Sequence, residues 1–277
     1  MLFLRSQDIT EIYVLVDDLV PKQTKNLKGG RPPILKSSEI VTILIWNVLT
    51  VQQKTLKSLY RWIHCYHATD FSNLPTYNGF LAEVHRSFSL CLEVLSHFMK
   101  MQTPIRFMDS TMLPVCSLRR AKKHRVSKGI ATFGKNWQGW HFGFKLHASI
   151  DPHGHLTGIF FSNASTHEHL GIPFLVGRNP CIAVGDTSYS SKRFREILWK
   201  YRILILAPPN PRSGPKHPMT KWQQTLLRSR TKIEAVFDYL KEHLHLVSSF
   251  PRSVKGYLVH YVRILLGYQI LSFISED

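Results

Sequence analysis

Apolar residues first recur at the spacing of one helix face: Ile9, Ile12, Tyr13, Val16 and Leu19 predict a helix near the start. Gly and Pro then break up a basic stretch over residues 22–33, which reads as a linker. Three further helices are predicted over residues 38–49, 55–64 and 76–99, the last beginning at Thr76, a residue type that caps helix N-termini. Together these predict an all-helical domain over residues 1–102.

Past Thr103 the pattern changes to short strands at 105–108, 140–150 and 156–161. The last two are joined by the turn Asp151-Pro152-His153-Gly154, so an antiparallel meander is expected. A helix at 167–176, a strand at 181–184, a helix at 191–201 and a strand at 203–206 follow. The prediction for residues 103–277 is therefore α/β: a mixed sheet flanked by helices. A Pro-rich loop at 208–218 leads to a long helix at 221–246, whose apolar stripe is Ile233, Val236, Phe237, Leu240 and Leu244. At ~100° per residue, Arg230, Glu234, Asp238 and Lys241 fall along the polar edge of that stripe.

Charge narrows the function. Lys and Arg number 36 against 18 Asp and Glu, giving +18, so an anionic partner is expected and nucleic acid leads. The basic residues run from Lys22 to Lys255 rather than along one amphipathic helix, which argues against a membrane surface. Of the apolar stretches, 40–51 is too short to span a bilayer and 257–274 is interrupted by His260 and Arg263. The first residues lack the regions of a signal peptide, so a cytoplasmic protein is expected. Cys65, Cys91, Cys116 and Cys181 show no paired spacing and read as reduced core thiols.

Three acids in distinctive settings then stand out. Asp109 closes the run 105–108, Asp186 closes 182–185, and Glu234 arrives from the late helix. Hard divalent cations take carboxylate oxygens, and Mg²⁺ keeps positions open for water and phosphate. Two such ions about 3.5–4 Å apart perform phosphodiester chemistry. Singly, each acid reads first as a cap or a surface ion pair; it is the three together that favour a metal site. Of the other acids in this half, Asp151 suits its own turn and Asp238, one helical turn beyond Glu234, is the strongest rival, while Glu168, Glu196 and Glu242 are assigned no role.

The segments MDS at Asp109, VGDTSY at Asp186 and RTKIEAVFDYLK around Glu234 resemble a DDE transposase of a bacterial insertion sequence, nearest in pattern to the insertion-sequence 982 family. GRPPILKSSEI, LPTYNGF, GFKLHASID and FPRSVKGY add to the resemblance, which covers roughly residues 30–270. In related transposases the acidic helix carries Tyr, Arg, Glu and a basic residue at fixed spacing. Arg230, Glu234 and Lys241 match, and Leu227 stands at the Tyr position. The resemblance implies an RNase H-like catalytic fold, with Asp109, Asp186 and Glu234 as catalytic metal ligands and Mg²⁺ as cofactor, Mn²⁺ substituting. It also implies cleavage at terminal inverted repeats, strand transfer into target DNA, a homodimer or larger synaptic complex, and work at the bacterial nucleoid.

The dense run Arg119, Arg120, Lys122, Lys123, Arg125 and Lys128 predicts a DNA-contacting loop or hairpin beside Asp109, and Arg230 and Lys241 are expected on phosphates. Residues 76–87 could form the reading helix of a helix-turn-helix, or a packing or dimer surface. His64, Cys65, His67 and Cys91 match no common zinc spacing, and no GxSxG, HExxH or P-loop motif occurs. Two other functions stay open: a structure-specific nuclease or resolvase on the same centre, and a catalytically silent DNA-binding derivative.

Overall fold

The computed structural model describes residues 8–19, 33–71, 73–99, 103–208 and 219–274. Apart from their end residues Pro33 and Pro208, the expected linker and the Pro-rich loop lie outside these. Contacts divide the chain into two units. One takes in the sequence up to Phe98 together with residues 244–246 and 250–277, and the other takes in residues 99–243 and 247–249.

The first unit is helical: α1 Ile9–Leu19, α2 Ser37–Trp46 running into a π turn Asn47–Val51, α3 Leu56–Tyr66, α4 Tyr77–Arg86, α5 Phe88–Met99 and, from the end of the chain, α10 Val254–Ile274. Local chemistry fixes several starts. Thr55 Oγ1 accepts from Ser58 N at 3.0 Å ahead of α3, and Thr76 Oγ1 from Gly79 N at 3.3 Å ahead of α4. Ile40 to Trp46 of α2 are all buried, so this helix is the centre of its unit. A Cβ on Gly267 would come within 2.4 Å of the Val48 side chain, so only glycine lets α10 lie this close to the π turn. Buried Glu83 of α4 accepts from Ile34 N at 3.0 Å and Leu35 N at 3.4 Å.

The second unit is built on a six-stranded sheet: β1 Ile105–Pro114, β2 Thr132–Asn136, β3 Gly139–Ile150, β4 Leu156–Asn163, β5 Cys181–Val184 and β6 Ile203–Leu206. The strand order is β2-β3-β1-β5-β6, with β4 also on β3. β3 pairs antiparallel with β1, and along its other edge it pairs first with β2 and then with β4. β5 and β6 continue the sheet in parallel. α6 Ile172–Val176 leads from β4 into β5, α7 Lys192–Trp199 runs between β5 and β6, and α8 Lys221–Ser229 and α9 Thr231–Asp238 follow. Met108, Ile172, Leu175, Val176, Ala183, Tyr189, Leu198 and Ile203 close the core on the α6 and α7 side.

Several expectations are corrected. β1 continues six residues beyond Met108 because β3 pairs with it from Phe107 to Pro114, so Asp109 lies inside a strand and not at its end. β2 is unexpected, since Gly134, Lys135 and Asn136 give it no alternating pattern. The helix expected over 76–99 is broken at Ser87, and that over 221–246 becomes α8, α9 and a π turn Tyr239–His243. Cys91 and Cys181 are buried as expected, whereas Cys65 is exposed and Cys116 half-buried. No helix among the described residues is long and apolar enough to cross a membrane.

Candidate active site

Parallel pairing sets two of the acids side by side. The last β1–β5 register pair is Phe107 with Val184, and Asp109 and Asp186 each stand two residues further on, where β5 has ended. β1 continues past that point on β3 alone, which opens the sheet at its carboxyl edge, where functional groups gather in α/β proteins. α9 packs against β1 and supplies Glu234. All three acids line one cleft of about 520 Å³, together with Ser110, Lys135, Trp137, Glu168, Ser188, Arg230, Asp238 and Lys241.

Each acid is held differently. Asp109 Oδ1 accepts from Ser110 N at 2.7 Å, and its Oδ2 accepts from Arg230 Nη1 at 2.8 Å. The other nitrogen of that guanidinium donates to Glu234 Oε1 at 2.7 Å, so Arg230 bridges the two acids. Asp186 caps the short turn Thr187–Tyr189, accepting from Ser188 N at 2.9 Å and from the Ser188 hydroxyl. Glu168 accepts from Lys145 Nζ at 2.7 Å and from Ser110 Oγ at 3.4 Å. The Lys145 side chain is buried, its ammonium also donating to Thr166 O at 2.7 Å.

Electrostatics follow from this crowding. Burial pushes the Asp109 carboxyl up to about 6; Ser110 N and Arg230 oppose the rise, and Asp186 and Glu234 add to it. Burial alone would raise Glu168 too, but the Lys145 ammonium outweighs it and holds the carboxyl below its usual range. Burial lowers Lys241, against the pull of Asp238, Glu242 and Asp109. Beneath the acids, Tyr189 is fully buried and its hydroxyl finds no hydrogen-bond partner among the described residues. A Cβ on Gly185 would stand 2.8 Å from the Tyr189 ring, so glycine is what lets the chain turn over that ring into Asp186.

The donor set suits a hard divalent cation. Five acids, Asp109, Glu168, Asp186, Glu234 and Asp238, line the cleft against three bases, Lys135, Arg230 and Lys241. Among the described residues no three His, Cys, Asp or Glu side chains are gathered as a metal site, and one guanidinium pairs with both Asp109 and Glu234. A cation on these carboxylates would take over that role from Arg230.

Of the basic residues singled out in the sequence, Arg230 and Lys241 line the cleft. Arg119, Arg120, Lys122 and Lys123 lie exposed on a 3₁₀ turn Leu118–Lys123, and Arg125 and Lys128 are exposed just after it. This turn follows the far end of β1, five residues past Asp109, and lines no part of the cleft, so the expected placement beside Asp109 is corrected. Sequence reasoning misses Lys135, Asn136, Trp137 and Gln138 on the β2–β3 hairpin, and gives Glu168 no role. An isolated Lys-Asn-Trp-Gln carries no motif. The signal for Glu168 is only its place among His167 and His169.

Residues 99–254 match the family model described as "Transposase DDE domain". No curated protein matches the chain. Among solved structures, the fold is similar to that of piggyBac transposase in a synaptic complex with hairpin DNA, determined by cryo-EM. The TM-score is 0.52 at 10% identity, over 99% of this chain and 73% of that one.

Proposed function

The chain belongs to the transposase DDE-domain family, and from that premise we propose that it is an insertion-sequence transposase of the 982 type. In this reading it binds the terminal inverted repeats of its element and catalyses metal-dependent phosphodiester cleavage and strand transfer. The observation that carries it is the convergence of Asp109, Asp186 and Glu234 from β1, the end of β5 and α9 on one cleft. A sheet antiparallel through β4, β3 and β1 and parallel through β1, β5 and β6 supports the RNase H-like label.

Asp109, Asp186 and Glu234 would hold Mg²⁺, or Mn²⁺ in its place. Such ions supply Lewis acidity at the scissile phosphate and activate a water or a 3′ hydroxyl. Arg230, released from its bridge, and Lys241 would then be free to take phosphate oxygens, while Arg119, Arg120, Lys122, Lys123, Arg125 and Lys128 grip the duplex backbone elsewhere. Ser110 N and the two Ser188 donors orient the Asp109 and Asp186 carboxylates, so that their remaining oxygens are the ones presented to the cleft. Joining two element ends calls for a dimer or larger synapse, and a bacterial element places the reaction at the nucleoid.

The test is to incubate the purified protein with Mg²⁺ and labelled DNA carrying the element end. Cleaved and joined products are expected; cuts without joining point to a nuclease, and intact bound DNA to a silent derivative. Asp109→Asn, Asp186→Asn and Glu234→Gln should each abolish cleavage while leaving DNA bound. Wild-type cleavage by any of the three removes that residue from the site.

A further inference from the structure

The β2–β3 hairpin is unusual in what it shows to water. Side chains alternate along a strand, so Phe133 and Lys135 of β2 share a face with their cross-strand partners Phe142 and Trp140. Phe142 is buried, but Phe133 is 45% exposed, Trp140 55%, and Trp137, at the turn, 90%. No other large hydrophobic side chain among the described residues is as exposed as Trp137. Three large exposed aromatic side chains on one short hairpin make it a candidate interaction site.

Three observations say what kind of partner suits it. The tip is stiff: the connection is only two residues, Trp137 and Gln138, and Asn136 Oδ1 accepts from Gln138 N at 3.0 Å and meets His141 Nε2 at 3.0 Å. Gly139, at φ 116°, takes a backbone conformation other residues rarely adopt. A fixed tip gives up little conformational freedom when a ligand settles on it. Next, cations accompany the rings: Lys135 Nζ lies 5.9 Å from the Trp140 ring centre, and Lys135 and Lys241 share the cleft wall with Trp137. Last, the hairpin reaches the site, since Lys135 to Gln138 line the same cleft as Asp109 and Glu234.

We propose that this hairpin tip is a base-stacking platform, on which Trp137 takes the face of an unpaired nucleobase while Lys135 takes an adjoining phosphate. Aromatic faces interleaved with cations are how sequence-tolerant binding of single-stranded nucleic acid is built. The base must be unpaired or extruded, because inside a duplex its face is covered by its neighbours. A strand whose terminal bases are opened beside the acids would thus be kept from re-pairing. This rests on the reading above that DNA occupies the cleft.

Binding of the full-length protein to two probes, without divalent metal, tests it. One is a fully paired duplex of about 20 base pairs, and the other the same duplex with a short single-stranded overhang carrying 2-aminopurine. Wild-type protein should quench the 2-aminopurine fluorescence. Trp137→Ala should lose the quench and weaken overhang binding by about 5- to 150-fold, with a smaller loss on the paired duplex. Trp137→Phe should restore most of both. Equal overhang affinity and equal quenching in wild type and Trp137→Ala would overturn the platform, as would equal losses on the two probes. Failure of the wild-type protein to bind either probe overturns the platform and the reading of DNA in the cleft together. Because Trp137 is 90% exposed, its truncation leaves the core packing in place.

Discussion

Arg230 is the residue on which the site's charge turns. Its guanidinium satisfies one oxygen of Asp109 and one of Glu234, and the side chains of Arg230 and Asp109 are only 20% and 19% exposed. Asp109 would otherwise be a desolvated carboxylate close to Asp186 and Glu234, and its upward pKa reflects that pressure. A partly buried charge that loses its partner costs more than the pair itself contributes. Arg230→Ala should therefore destabilise the metal-free protein by about 1–3 kcal/mol, read as a lowered denaturant midpoint. Added Mn²⁺ should recover part of the loss, because a cation on Asp109 and Glu234 does the same neutralising work. Unchanged metal-free stability would mean that Asp109 does not depend on Arg230. Recovery absent with Mn²⁺ would speak against these carboxylates as ligands.

At the scale of the element, α10 carries a buried polar pair, His260 and Arg263, in a largely apolar helix. Arg263 Nη2 donates to His260 Nδ1 at 3.3 Å, which leaves Nε2 as the protonated nitrogen, donating to the carbonyls of His245 at 3.1 Å and Leu246 at 3.2 Å. Burial, then the Arg263 charge, presses the His260 pKa down to about 3. The unfolded chain takes up this proton near pH 6.5 and the folded chain only near 3, so the stability His260 contributes is complete above 6.5 and drains away as pH falls toward 3. His260→Gln, which can keep the hydrogen bonds but not titrate, should flatten the stability–pH curve between about pH 6 and 4 by up to about 1.4 kcal/mol per pH unit. Matching curves for the two proteins would rule out His260 as the acid-sensitive group. Elements with one clean period are legible in the sequence: β5 and β6 fall where their apolar runs predict, and Asp186 with them. Breaks are not. Phe80, Val84, Cys91, Leu95 and Phe98 stay in phase across Ser87, and Leu226, Ile233, Phe237 and Leu240 across Arg230, so periodicity carries no mark of either interruption. Asp109 stands out in the sequence for an imperfect reason: its importance comes from where β5 stops, which only pairing reveals, and the hairpin's part in the cleft is likewise a matter of pairing.

Across the whole molecule, the charges of the site and of the chain oppose each other. The chain carries +18, yet five acids and three bases line the cleft. Most of the salt-dependent affinity for a polyanion must therefore come from outside the cleft, through released counterions, while the cleft adds local contacts such as those of Trp137 and Lys135 together with the chemistry. The exposed turn bearing Arg119, Arg120, Lys122 and Lys123 gathers four cations within five residues and suits this role. Replacing those four by Ala should weaken duplex binding and reduce the slope of log K against log salt by up to about 3.6, at about 0.9 for each phosphate no longer neutralised. The cleft acids should behave in the opposite way: Asp109→Asn removes a repelling charge, so metal-free binding should hold or tighten slightly while cleavage disappears. Affinity titrations of both variants from low to moderate salt separate the two contributions. An unaltered slope in the fourfold variant would move the DNA path away from this turn, and a loss of metal-free binding in Asp109→Asn would show that the cleft acids hold the structure rather than the ions.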